Sequence, residues 1–554
     1  MDMKKIFCIF SLAIAMAVTS GCDDFLDRGS FTAYPEDQII TNQEGLALLL
    51  NGVYDQFSSS GYYGGLLYLY EAHKSPDFFM RYVNGGWYFR TEGNFNTGRE
   101  TNGNPLNLWR TCYRVIRNAT ILIQSIDDAS GDITELRRLK GQAYALRAMA
   151  YFDLLRCFSF PPKYSCSWGS SYMDPVWADP DNMTDPTEHF TAPSGSDHKY
   201  VYIWGVPIVD TMEMGYDILD YEVRRATADE CWQKVRDELA LAYTLLNGYS
   251  GDKGYLSAAA VLALRTRIAL YMEDYKSVVT LGETWRQLYE SQYSLIPYDS
   301  YKTQYYQPFN TESIWELRYT DTDNMGGSSI NYWARKECYM APGSPLDGTL
   351  KYNTGYGKLC LNYGNANMGY EILTKYTSEN GYTKGDDVRA YLICDLGVAG
   401  YDYKSIRRYV GNPKHSVHNI PIVRLPEIYL NLAEAYFQRG DLTKAKDYLS
   451  RVTSVRRNED SPTIGALTDI LEERRREFIL EGQTYFDYFR TGTTYPTRVA
   501  HGALSYTTSV SWTGRYGVVY PIPLAEMNAN PAIRTQQNPN YGAWSFGIEV
   551  DEDD

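Results

Sequence analysis

RLPEIYLNLAEAYFQRGD (424–441), continued past Leu442 by TKAKDYLSRV (443–452), is the stretch on which the fold turns. Leu425, Ile428, Leu432, Ala435 and Tyr436 recur at three- and four-residue spacing, which draws one apolar face down a helix. Gly440-Asp441 ends that helix. A second begins with small Ala445 and continues through Tyr448, Leu449 and Val452. The two are antiparallel, with small residues where they cross, a glycine at the turn and an aromatic behind. Such a hairpin leaves an apolar face that only a neighbour can cover.

Neighbours are present along the chain. The Ala-rich run 258–272 meets Glu273-Asp274-Tyr275, and a second helix follows to about Tyr289. Helical segments at 135–158 and 228–247 supply further helices of the same kind. The hairpins resemble tetratricopeptide repeats, about three or more of which stack into a curved array. The helical parts are therefore expected at about 135–158, 228–290 and 424–490.

Between them, residues 58–109, 159–226 and 291–422 are rich in Gly, Pro, Asn, Asp and aromatics and weak in periodicity. Irregular stretches this long are usually functional or disordered, and their aromatic content argues against disorder. SIWELRY (313–319) alternates like a short strand.

At the N-terminus, Lys4 and Lys5 lead into an apolar run from Ile6 to Val18, closed by Thr19, Ser20 and Gly21. The run is too short to span a bilayer and reads as a secretory signal over 1–21. Cys22 stands where cleavage falls, which is the pattern of a bacterial lipoprotein: the thiol takes a diacylglycerol and anchors the chain through buried methylenes. Thr19 replaces the usual Leu three places before the cysteine. The mature part, 22–541, reads as one domain, and 542–554 ends in the acidic run EVDEDD.

The net charge of −15 becomes −16 when Asp2, Lys4 and Lys5 leave with the signal. That balance argues against nucleic acid and favours neutral or cationic partners. Seven widely scattered cysteines remain after Cys8 and Cys22, with no CxxC pair and no Cys/His cluster, so neither a zinc site nor a disulfide framework is indicated. The unusual numbers are 51 tyrosines and 11 tryptophans. Their flat apolar faces with a polar handle suit stacking on sugar rings or gripping peptides, although most are expected to fill helix interfaces.

Four segments, in order, carry a family resemblance: CDDFLD (22–27), AYALRAMAYFDLLRCFSFPP (143–162), the hairpin at 424–452 with the helix EERRREFILEGQTYFDYFR (472–490), and YPIPLAEMNANPAIRTQQNPNY (520–541). Together they resemble the SusD/RagB family of Bacteroidetes nutrient-uptake lipoproteins, across nearly the whole mature chain. The middle, about 291–420, matches least. The resemblance implies a mainly α fold: tetratricopeptide-like hairpins stacked in a right-handed superhelix, beside a large irregular binding region with few short strands. It further implies a surface-exposed outer-membrane lipoprotein that binds glycan, or peptide in the RagB branch, and delivers it to a SusC-like TonB-dependent transporter.

Within the motifs, Arg424 and Glu427 with Glu434 read as an ion pair and helix-terminus set. Arg474, Arg475 and Arg476 opposite Glu472, Glu473, Glu477 and Glu481 read as helix-surface pairs. No HExxH, GxSxG or Walker A sequence occurs. DTDNMGG (321–327) half-resembles a calcium loop, but Met325 holds a ligand position and Tyr332, not Glu, stands twelfth. No cofactor or metal is expected, and a non-catalytic protein is the reading carried forward over a glycoside hydrolase or a bare scaffold. For the ligand, DFFMRYVNGGWYF (77–89) offers Trp87 and Tyr88 after a Gly-Gly turn, with Asp77, Arg81 and Asn84 able to hydrogen-bond hydroxyls. In the middle region Tyr305-Tyr306 and Tyr332-Trp333 are the candidates, whereas Trp315 belongs to the core.

Overall fold

The computed structural model describes residues 40–80, 95, 101–165, 204–211, 223–325, 328–334, 358–361, 387–395, 404–406, 418–494 and 517–538. Cys22 and the acidic tail lie outside them. The helices of eight residues or more are α1 (Gln43–Ser58), α2 (Leu66–Lys74), α3 (Gly103–Ser125), α4 (Ile133–Phe158), α5 (Ala228–Leu245), α6 (Ala258–Tyr271), α7 (Tyr275–Tyr289), α8 (Leu425–Gln438), α9 (Leu442–Arg457), α10 (Leu467–Glu477) and α11 (Thr484–Thr491).

Local chemistry sets their ends. Thr227 and Glu230 form a reciprocal capping box at the start of α5, with Glu230 Oε2 accepting from Thr227 N at 2.8 Å and Thr227 Oγ1 from Glu230 N at 3.2 Å. Asp274 and Asp441 cap α7 and α9, each accepting from the backbone three residues on. Gly440, at φ +83°, makes the left-handed turn that folds α9 back on α8. α3 and α4 pack beside α1, α4 against α5, α5 against α6, and the hairpin α6–α7 against the hairpin α8–α9. Where α7 crosses α8, a Cβ on Gly282 would meet Leu432 at 2.7 Å, and the Trp285 indole donates to Ala259 O at 2.9 Å to hold α7 on α6.

The strands are short: β1 (Phe78–Met80), β2 (Trp204–Pro207), β3 (Arg225–Thr227), β4 (Ser313–Leu317), β5 (Leu359–Leu361), β6 (Ile393–Asp395), β7 (Lys404–Ile406) and β8 (Ile420–Arg424). They pair antiparallel as β1–β5, β2–β3, β4–β8 and β6–β7. β4 is the strand expected from SIWELRY, and its Trp315 is fully buried.

The interior holds charge. Glu312, Arg389, Arg424, Arg456 and Glu477 are each at most 2 % exposed. Glu477 Oε1 accepts from Arg424 at 2.9 Å, and its Oε2 accepts from Arg456 at 3.0 Å and Arg389 at 3.1 Å. Glu312, just before β4, closes the lattice on Arg456 at 2.6 Å and Arg424 at 3.1 Å. Burial pushes the Glu477 carboxyl up, but Arg456, Arg424 and Arg389 together hold it well below the usual carboxylate range. A second set runs along α8. There Glu427 takes a fork from Arg267 at 2.6 Å, Glu434 takes one from Arg490 at 2.6 and 2.7 Å, and Asn431 accepts from Arg474 at 2.7 Å.

Four expectations change. Arg424, Glu427 and Glu434 do not pair with one another, because each faces inward to a different element. Arg474 and Arg475 are buried rather than on the surface, Arg474 bonding Asp487 at 2.8 Å on α11. The stretch 472–490 is two helices, α10 and α11, because Leu480 (φ 60°) and Gly482 (φ 71°) both turn left-handed between them. Helices also enter the block 58–109, which holds α2 and the start of α3.

Glu477→Gln leaves three buried guanidiniums around a neutral amide. It should cost about 3–5 kcal/mol in urea unfolding, whereas Asp447→Asn, which breaks an exposed 3.2 Å pair with Arg451, should cost under about 1 kcal/mol. Equal losses for the two would refute the lattice as a stability element.

Candidate ligand-binding site

β1 ends at Met80, and the stretch 81–88 begins at the next residue. The ribbon pairs Met80 with Leu359, Phe79 with Cys360 and Phe78 with Leu361. Lys358, immediately before β5, donates its backbone N–H to Trp333 O at 3.0 Å. Its ammonium sits 4.9 Å from the centre of the Trp333 ring. The half-buried Trp333 thus stands at the end of the ribbon from which the 81–88 stretch departs. Arg81, Asn84, Trp87 and Tyr88 lie outside the described residues, as does the side chain of Tyr332. Lys358 had no sequence signal, because its role depends on a pairing between strands some 280 residues apart.

Asp77 and Tyr305 are not at a surface. The Asp77 carboxylate is 2 % exposed, accepts from Arg475 Nε of α10 at 2.7 Å and from the Ser75 hydroxyl at 3.1 Å, and lies 2.6 Å from Arg475 Nη2 as an ion pair. It is a strut between the start of β1 and α10, and its oxygens are committed before any sugar hydroxyl could reach them. The Tyr305 ring is buried and stacked on Tyr301 at 5.0 Å, and Tyr301 lies under the Arg456 guanidinium at 4.7 Å. Tyr306 is half-buried and meets Tyr305 edge-on at 5.3 Å. This tyrosine pair packs on the charged lattice rather than beside Trp333.

The approach to β1 is clamped from α2. Lys74 is fully buried and donates to the carbonyls of Gly517 and Val518, the latter at 3.0 Å. Rings of Tyr70, Phe95, Tyr485 and Tyr520 surround its ammonium at 4.5–5.6 Å. One turn earlier, Glu71 Oε1 accepts from Tyr485 N at 3.0 Å. Burial pushes this carboxyl up to about 8, against the lowering effect of the Tyr485 N–H, so at neutral pH it is mostly a neutral acid. Among the described residues, no group of three or more His, Cys, Asp or Glu side chains could hold a metal ion. Near the ribbon end stands the half-buried Trp333 ring, with the buried Lys358 ammonium packed against it.

A SusD-like family model, described as starch-binding and associating with the outer membrane, matches residues 24–270, and a SusD family model matches 400–541. The chain is 21 % identical over 531 residues to the SusD-like protein P38 of Formosa agariphila, covering 88 % of this chain and 92 % of that one. Over 145 residues, a quarter of each chain, it is 32 % identical to the starch-binding protein SusD of Bacteroides thetaiotaomicron. Among solved structures, a SusD superfamily protein of Bacteroides vulgatus superposes with a TM-score of 0.70 at 23 % identity, covering 90 % of this chain and 99 % of that one.

Glu71 has a measurable signature. Its folded-state proton affinity is raised, so its contribution to stability is full below the unfolded value near 4.5 and is lost as pH rises toward about 8. Glu71→Gln should flatten the dependence of Tm on pH between about 5 and 8 and leave the variant more stable than wild type above about pH 8. An unchanged slope across that window would rule out a buried neutral Glu71.

Proposed function

The chain belongs to the SusD/RagB family, and on that premise we propose that it is a non-catalytic cell-surface lipoprotein that binds glycan and delivers it to a SusC-like TonB-dependent transporter. The observation that carries the binding half is Trp333: a half-buried ring beside Lys358 at the end of the β1–β5 ribbon, where the aromatic-rich 81–88 stretch departs. Pyranose rings present apolar C–H faces that stack on such a ring, while polar side chains beside it take the hydroxyls. Trp333, Trp87 and Tyr88 are the stacking residues of this reading, and Tyr332, Arg81 and Asn84 are its further candidates. The starch-binding description of the matched family and of the B. thetaiotaomicron relative supports a saccharide ligand. A non-catalytic role fits Asp77 and Glu71, the first ion-paired and the second neutral.

Anchoring rests on Cys22 after the apolar run, and the family description places related proteins with the outer membrane. Among the described residues no helix is long and apolar enough to cross a membrane. The net charge of −15 favours a cationic peptide as the second ligand class.

Two outcomes test this. Trp333→Ala and Trp87→Ala should each weaken, by tenfold or more (about 1.4 kcal/mol), binding of the glycan selected on an array, read by isothermal titration with melting curves unchanged. Selection of basic peptides and no glycan would favour the second ligand class. Cys22→Ala should shift the protein from the membrane to the soluble fraction or leave an uncleaved precursor. Unchanged processing and membrane association would end the lipoprotein reading.

A further inference from the structure

α6 carries two charged side chains, Arg265 and Arg267, and no Asp or Glu. Two residues apart on a helix, they point to nearly opposite sides. Arg267 turns inward and makes its fork with Glu427 on α8. Arg265 is half-buried and makes no hydrogen bond or ion pair among the described residues. Its guanidinium lies 5.7 Å from the centre of the Tyr243 ring. Burial lowers its proton affinity, and no carboxylate of the described residues answers it. The acidic side chains of the flanking helices are taken up elsewhere. Asp237 of α5 accepts from Gln233 and Glu238 from Arg147, while Glu283 of α7 accepts from Tyr436 and Tyr448 at 2.8 and 2.6 Å. A planar cation with five donors and no acceptor is costly to hold half out of water and unpaired.

Tyrosines adjoin this cation. Tyr243 stands near the end of α5 and Tyr289 is the last residue of α7. Their hydroxyls are 3.5 Å apart, so the two helices that flank α6 meet at this pair, and both rings are half-buried. Trp285, one turn before Tyr289, lies between it and the half-buried Tyr293, with ring centres at 6.2 and 5.5 Å. The cation beside Tyr293, Lys253, is by contrast spent on Asn310 O at 2.9 Å. Core packing accounts for Trp285, which is fully buried and hydrogen-bonded to α6. It does not account for three half-open tyrosine rings near an unanswered guanidinium.

We propose that Arg265, Tyr243 and Tyr289 form a second saccharide subsite, within the helical array, for a sugar residue that bears a carboxylate. The guanidinium takes the carboxylate as a fork. The two tyrosine hydroxyls, each both donor and acceptor, take hydroxyls of the same sugar, and Tyr293 offers an aromatic surface to the next one. The proposal rests on the glycan reading above, but none of its residues belongs to the β1–β5 ribbon or to the segment that carries Trp333. Charge decides between a saccharide and an acidic peptide. At a net charge of −15 the molecule repels a polyanion as a whole, and one guanidinium answers one carboxylate. A largely neutral glycan with an occasional uronic acid meets both conditions.

The test titrates the full mature chain with tri- and tetrasaccharides that carry a single glucuronic or galacturonic acid residue, each beside its carboxyl-reduced counterpart. At least one uronate should bind tenfold or more tightly than its reduced form. Arg265→Gln should bind the two forms alike, with Tm unchanged or raised, since it removes a cation that has no partner. Tyr289→Phe should weaken both forms by a similar factor and leave the preference for the acid. Trp333→Ala should also leave that preference intact, so failure of the ribbon site and failure of this subsite are read separately. No preference for any uronate, a preference that survives Arg265→Gln, or equally tight binding of a tetraglutamate peptide would overturn the proposal.

Discussion

A carboxylate taken out of water must be matched on every side, and Glu477 is matched by three guanidiniums that arrive from three distant parts of the chain. Arg424 comes at the end of β8, Arg456 from α9 and Arg389 from the short segment 387–395. No two of these elements touch Glu477 through local sequence. The lattice is therefore a statement about how the whole molecule closes: remove one member and the others are left as uncompensated buried charge. It also joins the two halves of the architecture, because Arg389 and Asp387 lie in the irregular region while Arg456 and Glu477 lie in the helical array. α8 repeats the device along its own length, with Glu427, Asn431 and Glu434 reaching α6, α10 and α11.

The helical hairpins were legible because their information is local. Spacing of three and four, an Asp at each second N-cap (Asp274 and Asp441) and, between α8 and α9, a glycine at the turn place α6, α7, α8 and α9 to within a residue or two. The break between α10 and α11 was not, since the apolar period continues through 478–483 and only left-handed backbone at Leu480 and Gly482 interrupts it. Arg474 and Arg475 read as surface residues because Arg and Glu crowd together there, EERRRE over 472–477. Their burial depends on Asp487 and Asp77, partners that no pattern within 472–490 announces.

The candidate site is readable as composition and not as geometry. An aromatic run after β1 and a Tyr-Trp pair 250 residues later could be named from the sequence, but the place of Trp333 beside the end of β1 depends on a three-residue ribbon between strands with almost no sequence signature. Asp77 illustrates the converse. Beside aromatics and a glycine turn it has the look of a ligand residue, yet its position just before an inward-facing strand turns it to Arg475.

The Lys74 clasp carries a consequence in time. Its carbonyl partners at 517 and 518 lie some 440 residues downstream, and at ordinary synthesis rates of about 5–20 residues per second the ribosome needs roughly half a minute to a minute and a half to reach them. Until then the ammonium has no place in an apolar interior, and the base of β1 cannot seat. The last-made part of the chain thus licenses the first, so a chain that stops before 517 leaves the Lys74 ammonium without its carbonyls and the base of β1 unseated.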